Sequence, residues 1–410
     1  MAETWTVIRC LNWTIEYLAS KGDETPRVSA EWLLSSVLDV PRINLYTDPN
    51  RPLAPDELAR MHESVVRRAK GEPIQYITGD TAFRSLTIQC EPGVLIPRPE
   101  TEMLVEEVLS FLDARVFEWT CEDRRRHRIE LPWNDEVEAK RRAEQEAAAA
   151  RAAEQRETAG EDDGASSETD EESTAAAPEV VAQPANQQPE AAAPRHARVL
   201  EVGCGTGCIS LSLAFERAGL VSCVATDIEP RAVALACKNR EALGIAPEAV
   251  DIREGNLVSP LDRATEWGTF DVLVSNPPYI PTAVLQVIPR EVTDFEPALA
   301  LDGGADGLDI FRRLVNAAPC MLRPGGLLAC ELHETTLDDA ARICLDAGFE
   351  EVRIARDLAG RTRFILATVP QRVCEEARAR FDARTRPAGE GDELVAPAAP
   401  TAAPESERVE

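Results

Sequence analysis

The segment Asn276-Pro277-Pro278-Tyr279 combines the residue types needed to hold a planar nitrogen group. It follows the apolar run VLVS, and prolines cannot donate to a sheet ladder, so the strand must end there. The prolines stiffen this turn, and the Asn276 side-chain oxygen and the Pro277 carbonyl are two acceptors for N–H groups. Tyr279 offers a face for stacking on an amide or a base. The alternative is a simple proline-rich turn.

A glycine-rich turn, LEVGCGTGCISL, joins a strand to a helix earlier in the chain. Its glycines allow tight turning and let a ligand approach the backbone closely. The dinucleotide fingerprint G-x-G-x-x-G needs a glycine at position 208, where Cys208 stands. Glu201, two residues before the first glycine, is instead typical of S-adenosylmethionine (AdoMet) methyltransferases.

Polar residues also follow the next two strands of this series. Asp227 ends a strand about twenty residues after the glycine turn, where a carboxylate can accept both hydroxyls of a ribose. Asn256 and Leu257 follow a third strand, where an amide and an apolar side chain can frame adenine. Each residue alone is typical of a cap or a turn. All three sites at successive strand ends indicate a ligand site, because ligands bind there in open α/β sheets.

Together these segments predict methylation of an amide or amino nitrogen. Such a nitrogen is a poor nucleophile because its lone pair is delocalised. Acceptors around its N–H groups would hold the nitrogen towards a sulfonium and favour build-up of the lone pair. No general base is required if the proton leaves after methyl transfer, in agreement with the lack of a nearby histidine in the sequence.

Composition narrows the partners and the compartment. The formal net charge is −28, and residues 161–190 carry no Lys or Arg, which argues against electrostatic capture of nucleic acid. The eleven cysteines form no C-x-x-C pair, which favours free thiols in a reducing cytosol. The sequence has neither a signal-peptide pattern nor an apolar run of roughly 20 residues. We therefore expect a cytoplasmic, monomeric protein that binds no membrane.

No metal site is predicted. His62, His127 and His196 lack acidic or cysteine partners at the spacing of metal ligands.

The elements that must position these residues alternate between strand and helix across residues 197–370, which predicts a mostly parallel sheet with helices on both faces. Residues 1–70 show helical spacing, and Asp56 is a candidate cap for a helix running to about Lys70. The next segment contains two strand-like runs around a Gly79-Asp80 turn. Thr101 is a candidate cap for the helix that follows.

The segments GEPIQYITG, LIPRPETE, NPPY, EVTDFEPALALDGGADGLDIFRRL and RDLAGRTRFILA resemble the HemK/PrmC family in combination. Members are protein-(glutamine-N5) methyltransferases that modify the Gly-Gly-Gln motif of class-1 peptide release factors, and the resemblance covers about residues 5–113 and 197–369. It implies AdoMet as cofactor, a release factor as partner and Asn276, Pro277, Pro278 and Tyr279 as the catalytic substrate clamp. The implied AdoMet contacts are Glu201, Gly203, Cys204, Gly205, Thr206, Gly207, Asp227, Asn256, Leu257 and Asn276.

The expected fold is α/β, a class I, Rossmann-like AdoMet-dependent methyltransferase with a small N-terminal helical domain and a β-hairpin connector. The expected ranges are 1–70 for a helical substrate-recognition domain, 71–97 for the connector, 98–120 and 196–370 for the methyltransferase domain, 121–195 for a disordered acidic and Ala-rich insertion, and 371–410 for a charged, largely disordered tail. The tail is expected to begin with a short charged helix beyond Pro370.

The sequence departs from the family pattern at three places. The family usually has an aromatic residue where Arg84 stands, and commonly a glycine near Leu332-His333. The insertion is absent from the compact family pattern, but extra length at a connection adds closure entropy only slowly. Glu100 and Glu102 lie beside Arg98 at the start of a predicted helix, in a segment that the family places near the cofactor. Glu296 is a candidate for orienting the NPPY turn by hydrogen bonds.

Two other functions use the same motifs. A DNA adenine-N6 methyltransferase would apply NPPY chemistry to a flipped base, but it needs a basic groove or a target-recognition domain. An adaptor that has kept the fold and lost catalysis would use the acidic insertion to bind partners. Such an adaptor would not need the glycines and NPPY, and both are intact in this sequence, which argues against this function.

Overall fold

The structure is a computed structural model that describes residues 4–126, 195–285, 287–288 and 294–385. Most of the predicted insertion and the end of the predicted tail, residues 127–194 and 386–410, lie outside the described residues.

The N-terminal region is a small bundle of helices. They are α1 (Val7–Ser20), α2 (Pro26–Leu38), α3 (Asn44–Thr47) and α4 (Pro55–Arg68). Their apolar stripes meet in a core that includes Leu11, Leu34 and Met61. The prediction that Asp56 caps α4 is wrong, because the helix already begins at Pro55, whose fixed φ suits the first helical position. The Ala54 N–H instead donates to the Glu57 carboxylate at 2.8 Å.

The connector contains one hairpin, and its turn lies later in the chain than the predicted Gly79-Asp80 turn. Its elements are α5 (Ile74–Thr78), β1 (Asp80–Phe83) and β2 (Leu86–Gln89), and the two strands are antiparallel. Gly79 does not form the hairpin turn; with φ 91° it ends α5 in the left-handed conformation that glycine favours. The chain turns at Arg84 and Ser85 instead. Arg84 stands where the family usually has an aromatic residue. It forms ion pairs with Glu216 and Glu106 and so connects the hairpin to the larger domain.

A seven-stranded sheet forms the centre of the larger domain. Its strands are β3 (Ala197–Val202), β4 (Val221–Asp227), β5 (Val250–Glu254), β6 (Phe270–Ser275), β7 (Leu322–Glu331), β8 (Glu350–Arg356) and β9 (Thr362–Val369). The order is β5-β4-β3-β6-β7-β9-β8. Strand β9 runs opposite to the other six strands, which all point the same way. The mostly parallel sheet is therefore confirmed. Strand β8 was not predicted from the sequence.

Helices cover both faces of this sheet. They are α6 (Thr101–Phe111), continued by a π-helical turn (Leu112–Val116), α7 (Cys121–Arg126), α8 (Cys208–Glu216), α9 (Pro230–Ala242), α10 (Asp309–Met321), α11 (Leu337–Asp346) and α12 (Gln371–Thr385), with a 3₁₀ turn at Ala298–Ala300. Neighbouring strand residues face opposite ways, so Val199 joins the core that contains Leu104 of α6, and Leu200 joins the core that contains Leu314 of α10.

A last helix follows the range predicted for the methyltransferase domain, which ends at residue 370. Helix α12 starts at Gln371, and its Val373 and Cys374 are buried in the same core as α10. The short charged helix expected after Pro370 is therefore present, and it packs against the sheet domain. Its apolar positions are few among many charges, which hid the buried face from a reading of composition.

Candidate active site

Four predicted segments meet at the carboxyl ends of β3, β4, β5 and β6. Because these strands are parallel neighbours, their ends open on the same edge of the sheet. The cleft there encloses about 1060 Å³ of empty space when the open solvent at its mouth is included. The predicted residues that line it are Gly203, Gly205, Asp227, Asn256, Leu257, Asn276, Pro277 and Pro278.

A smaller pocket adjoins this cleft at the glycine loop. The other predicted loop residues, Glu201, Cys204 and Thr206, line it. Leu95, Gly203, Gly205 and Asn276 line both spaces. Asn276 therefore lies at the junction of the cleft and the smaller pocket.

Two predicted residues, Gly207 and Tyr279, line neither of these spaces. Gly207 has φ 81° at the start of α8, and a Cβ there would come within 3.2 Å of the Ala236 and Leu211 side chains. It serves close packing of helix on helix. Tyr279 is partly buried, and its ring centroid lies 6.5 Å from that of His333. His333, at another departure from the family pattern, thus lies beside the NPPY turn.

The glycine loop leaves room for a ligand against its backbone. Gly203 and Gly205 have φ of 73° and 55°, in the left-handed region. A Cβ at either residue would meet no atom within 4 Å, so the space beside each is open. Glycine is required here for its backbone conformation, and the lack of side chains keeps the wall of the cleft smooth.

Asp227 is held in place from two sides. Its Oδ2 accepts the Gly205 N–H at 2.8 Å, and its Oδ1 accepts the Glu229 N–H at 2.9 Å. Burial raises the pKa of the Asp227 carboxyl above its usual value, although these hydrogen bonds oppose the change. Each oxygen keeps a further lone pair, so the carboxylate can still accept hydroxyl groups in the cleft.

Glu201 is the buried acid of the smaller pocket. It is 1% exposed, and its Oε2 accepts the Ser210 N–H at 2.9 Å. Its Oε1 has no hydrogen-bond partner among the described residues. Burial raises the pKa of the carboxyl to about 8. An unpartnered buried acceptor is costly, and a donor or a cation in the pocket would relieve that cost.

Asn256 has a partner that the sequence did not reveal. Its Oδ1 accepts a hydrogen bond from Arg313 Nη2 at 2.9 Å, and Arg313 of α10 also lines the cleft. Leu257 beside it has φ 54°, and its carbonyl accepts the Thr226 hydroxyl at 2.8 Å. No local pattern marks Arg313, because it reaches the cleft from a helix far along the chain.

Asn276 is fixed by a hydrogen bond from its own amide. Asn276 Nδ2 donates to Thr101 Oγ1 at 3.2 Å, and Thr101 Oγ1 donates to Glu331 Oε2 at 2.7 Å. The prediction that Thr101 caps α6 is wrong, since its hydroxyl makes this contact and the helix has no side-chain cap. Glu331 was also missed, although it ends a predicted strand just as Asp227 does.

Glu296 was predicted to hydrogen-bond the NPPY turn, but its side-chain partner is Arg98. Glu296 accepts two hydrogen bonds from Arg98 Nη2, at 2.7 and 2.6 Å. It therefore anchors the segment that carries Pro297 to the PRPETE segment, which corrects the prediction of direct bonds to NPPY. Glu100 pairs with Arg361, and Glu102 accepts the Arg84 N–H at 3.1 Å.

In the described part of the chain, no three His, Cys, Asp or Glu side chains form a group able to hold a metal ion. The cysteines are all free, and ten of the eleven are at least partly buried. Among the helices of the described residues, none combines the length and the apolarity needed to cross a membrane.

Known proteins are similar to this chain in both its N-terminal and its sheet-forming regions. The PrmC N-terminal domain family matches residues 9–79, and the methyltransferase small domain family matches residues 187–292. The release factor glutamine methyltransferase of Geobacter sulfurreducens is 35% identical over 88% of this chain and 96% of its own length. That of Moorella thermoacetica is 33% identical over 88% of this chain and 98% of its own. A solved methyltransferase structure from Pyrococcus furiosus covers 43% of this chain and 77% of its own, with 22% identity and a TM-score of 0.32.

The sheet order, the glycine loop and the matching family define a class I methyltransferase. Since relatives above 30% identity align over nearly their whole length, the chain belongs to the release factor glutamine methyltransferase family.

Proposed function

We propose that this protein transfers a methyl group from AdoMet to the side-chain amide nitrogen (N5) of the glutamine in the Gly-Gly-Gln motif of class-1 peptide release factors. The observation that carries the proposal is the position of Asn276 at the junction of two connected spaces. A donor that extends across both would bring its reactive centre beside the Asn276 amide. The names of the relatives support a glutamine of a release factor as the acceptor.

The residues of the site fit AdoMet. Asp227 would accept the ribose hydroxyls, and Asn256 with Leu257 would frame the adenine. The unpartnered Glu201 Oε1 would accept the ammonium of the methionine part, beside the open space along Gly203 and Gly205. When bound, AdoMet supplies a methyl group on a positively charged sulfur.

The protein's own groups would prepare the target nitrogen. Asn276 Oδ1 accepts one N–H of the glutamine amide and the Pro277 carbonyl accepts the other, which holds the nitrogen lone pair towards the methyl group. AdoMet would supply its methyl group to this nitrogen and leave as S-adenosylhomocysteine, and the nitrogen would lose one N–H proton to water. Tyr279 lies behind this turn and fixes its position through contact with the core.

The two family-matched regions divide the work in this proposal. The N-terminal helices and the connector hold the release factor, and the sheet domain holds AdoMet and the glutamine. Arg84 and its partners Glu216 and Glu106 support such a division, because they join the connector to the sheet domain.

The test is incubation of the full-length protein with AdoMet and a purified class-1 release factor, followed by mass spectrometry of the Gly-Gly-Gln peptide. One added methyl group on that glutamine is expected. A release factor with Gln→Asn in the motif is the control, and it should gain none. Methylation of adenine in a DNA duplex, or of no glutamine at all, would overturn the proposal.

A further inference from the structure

A line of hydrogen bonds runs from the NPPY turn into the core. It joins Asn276 to Thr101 and Thr101 to Glu331, at 3.2 and 2.7 Å. The three residues come from the loop after β6, the first turn of α6 and the end of β7. Thr101 is 2% exposed and Glu331 is 1% exposed, so solvent does not compete for these bonds. Thr101 lines the smaller pocket and does not line the open cleft, whereas Glu331 lines neither space.

The chemistry of the three groups gives this line a direction. An ionised carboxylate can only accept, so the single hydroxyl hydrogen of Thr101 points to Glu331. The Thr101 oxygen must then accept from Asn276, and only the NH₂ side of the Asn276 amide can donate. The amide is thereby oriented with its nitrogen towards Thr101. Its oxygen is then not engaged by Thr101, and Asn276 lines both spaces.

We propose that Thr101 and Glu331 are positioning residues that orient the Asn276 amide so that its oxygen faces the target nitrogen. This inference rests on the proposed function, because it concerns how the same site presents its acceptor. It goes further in assigning the orientation to a carboxylate two hydrogen bonds away. The charge of Glu331 also polarises the line and makes the Asn276 oxygen a stronger acceptor.

Loss of that charge would allow the line to reverse. A protonated Glu331 can donate to Thr101, whose hydrogen can then turn to the Asn276 oxygen. The amide would present N–H groups to an N–H donor, which is the wrong match.

The surroundings of Glu331 place this change near neutral pH. Burial raises the pKa of the Glu331 carboxyl to about 7. The Thr101 hydrogen bond, Arg363 of β9 and Tyr279 of the NPPY turn oppose that rise, whereas Glu100 adds to it. Cys208 at the start of α8 also faces this charge, with its thiol protonated because burial raises the Cys208 pKa. An acid with this pKa is ionised above about pH 7, so turnover should rise through that range.

The test compares Thr101→Val, which removes the hydroxyl and keeps the shape, with Thr101→Ser, which keeps the hydroxyl. With the full-length protein and a release factor, we expect Thr101→Val to lower kcat by about 10- to 100-fold, with little change in KM for the release factor. Thr101→Ser should restore most of that loss. The kcat of the wild type should rise between about pH 6 and pH 8, and that of Thr101→Val should be flat across the same range. Thr368→Val, at a partly buried threonine of β9 whose hydroxyl donates to the Glu350 carbonyl, is the matched control and should leave both unchanged.

A second variant covers the possibility that Thr101→Val does not fold. Glu331→Gln has no charge, so its kcat should be reduced and independent of pH over the same range. If these variants keep the kcat and pH profile of the wild type, or if the wild-type kcat itself is flat, the inference is wrong. The proposed function fails separately, when the wild type methylates no release-factor glutamine at any pH.

Discussion

Asp227→Ala tests the predicted ribose contact. The substitution removes a carboxylate that lines the cleft and accepts the Gly205 and Glu229 N–H groups at 2.8 and 2.9 Å. AdoMet would therefore lose its hydroxyl acceptor, and the glycine loop would lose one of its fixed contacts. Both effects weaken binding, and neither alters the core of the sheet.

The magnitude follows from the kind of bond that is lost. Hydrogen bonds to a charged group contribute about 1.5–3 kcal/mol, so the Kd for AdoMet should rise about 10- to 200-fold. The effect on folding should be smaller. Burial raises the pKa of Asp227, which means that its charge is unfavourable in the free protein, and removal of that charge offsets the two lost backbone contacts.

Isothermal titration of the full-length protein with AdoMet measures the change, and thermal unfolding checks the fold. The matched control is Glu254→Ala, which removes the same charge at an exposed position directly opposite Asp227 on β5. Glu254 does not line the cleft, so its variant should bind AdoMet with the wild-type Kd. Equal affinity of Asp227→Ala and Glu254→Ala would remove Asp227 from the site.

Three further predictions concern the acceptor, the insertion and the buried acid. Asn276→Ala should lower kcat by about 10²–10³ with little change in release-factor binding, and Asn276→Asp should keep AdoMet binding but turn over poorly; near wild-type turnover of both, measured by mass spectrometry, would contradict the mechanism. Replacing residues 122–194 by a short flexible linker should leave AdoMet binding and methylation largely intact, and a variant that binds AdoMet but methylates no release factor would show that the insertion docks the substrate. The pKa of the Glu201 carboxyl is about 8 in the folded protein and 4.5 ordinarily, so between these pH values the folded state binds one more proton than the unfolded state. The free energy of unfolding should therefore fall as the pH rises from about 4.5 to about 8 and stay low above pH 8. Glu201→Gln should flatten that dependence in thermal unfolding between about pH 6 and pH 9; equal slopes for both proteins would refute this reading of the buried acid.

Much of the fold follows from local pattern. Apolar runs such as VLVSN and the helical spacing of Leu104 and Val108 are visible in a short window, because strand and helix each repeat over a few residues. Prediction failed where two local signals compete. Gly79 fits both a hairpin turn and a helix end. The pairing of Ala82 with Thr87 places the hairpin turn after Gly79, which leaves Gly79 as the end of a helix. Helix α12 was missed as a packed element because Val373 and Cys374 stand among charges.

The residue types at the strand ends were determined by the sequence itself. Gly203, Asp227, Asn256 and Asn276 each follow a recognisable strand, and parallel strands must bring those ends to one edge, so the cleft could be predicted without coordinates. The tertiary structure decided which side chains support them. Thr101 and Glu331 are 230 residues apart, and the partners Arg98 and Glu296 are 198 apart. Such contacts depend on how α6 packs against β7 and how the chain returns over the cleft, and no local pattern contains that information, because a hydrogen bond depends on distance in space and not on separation along the chain.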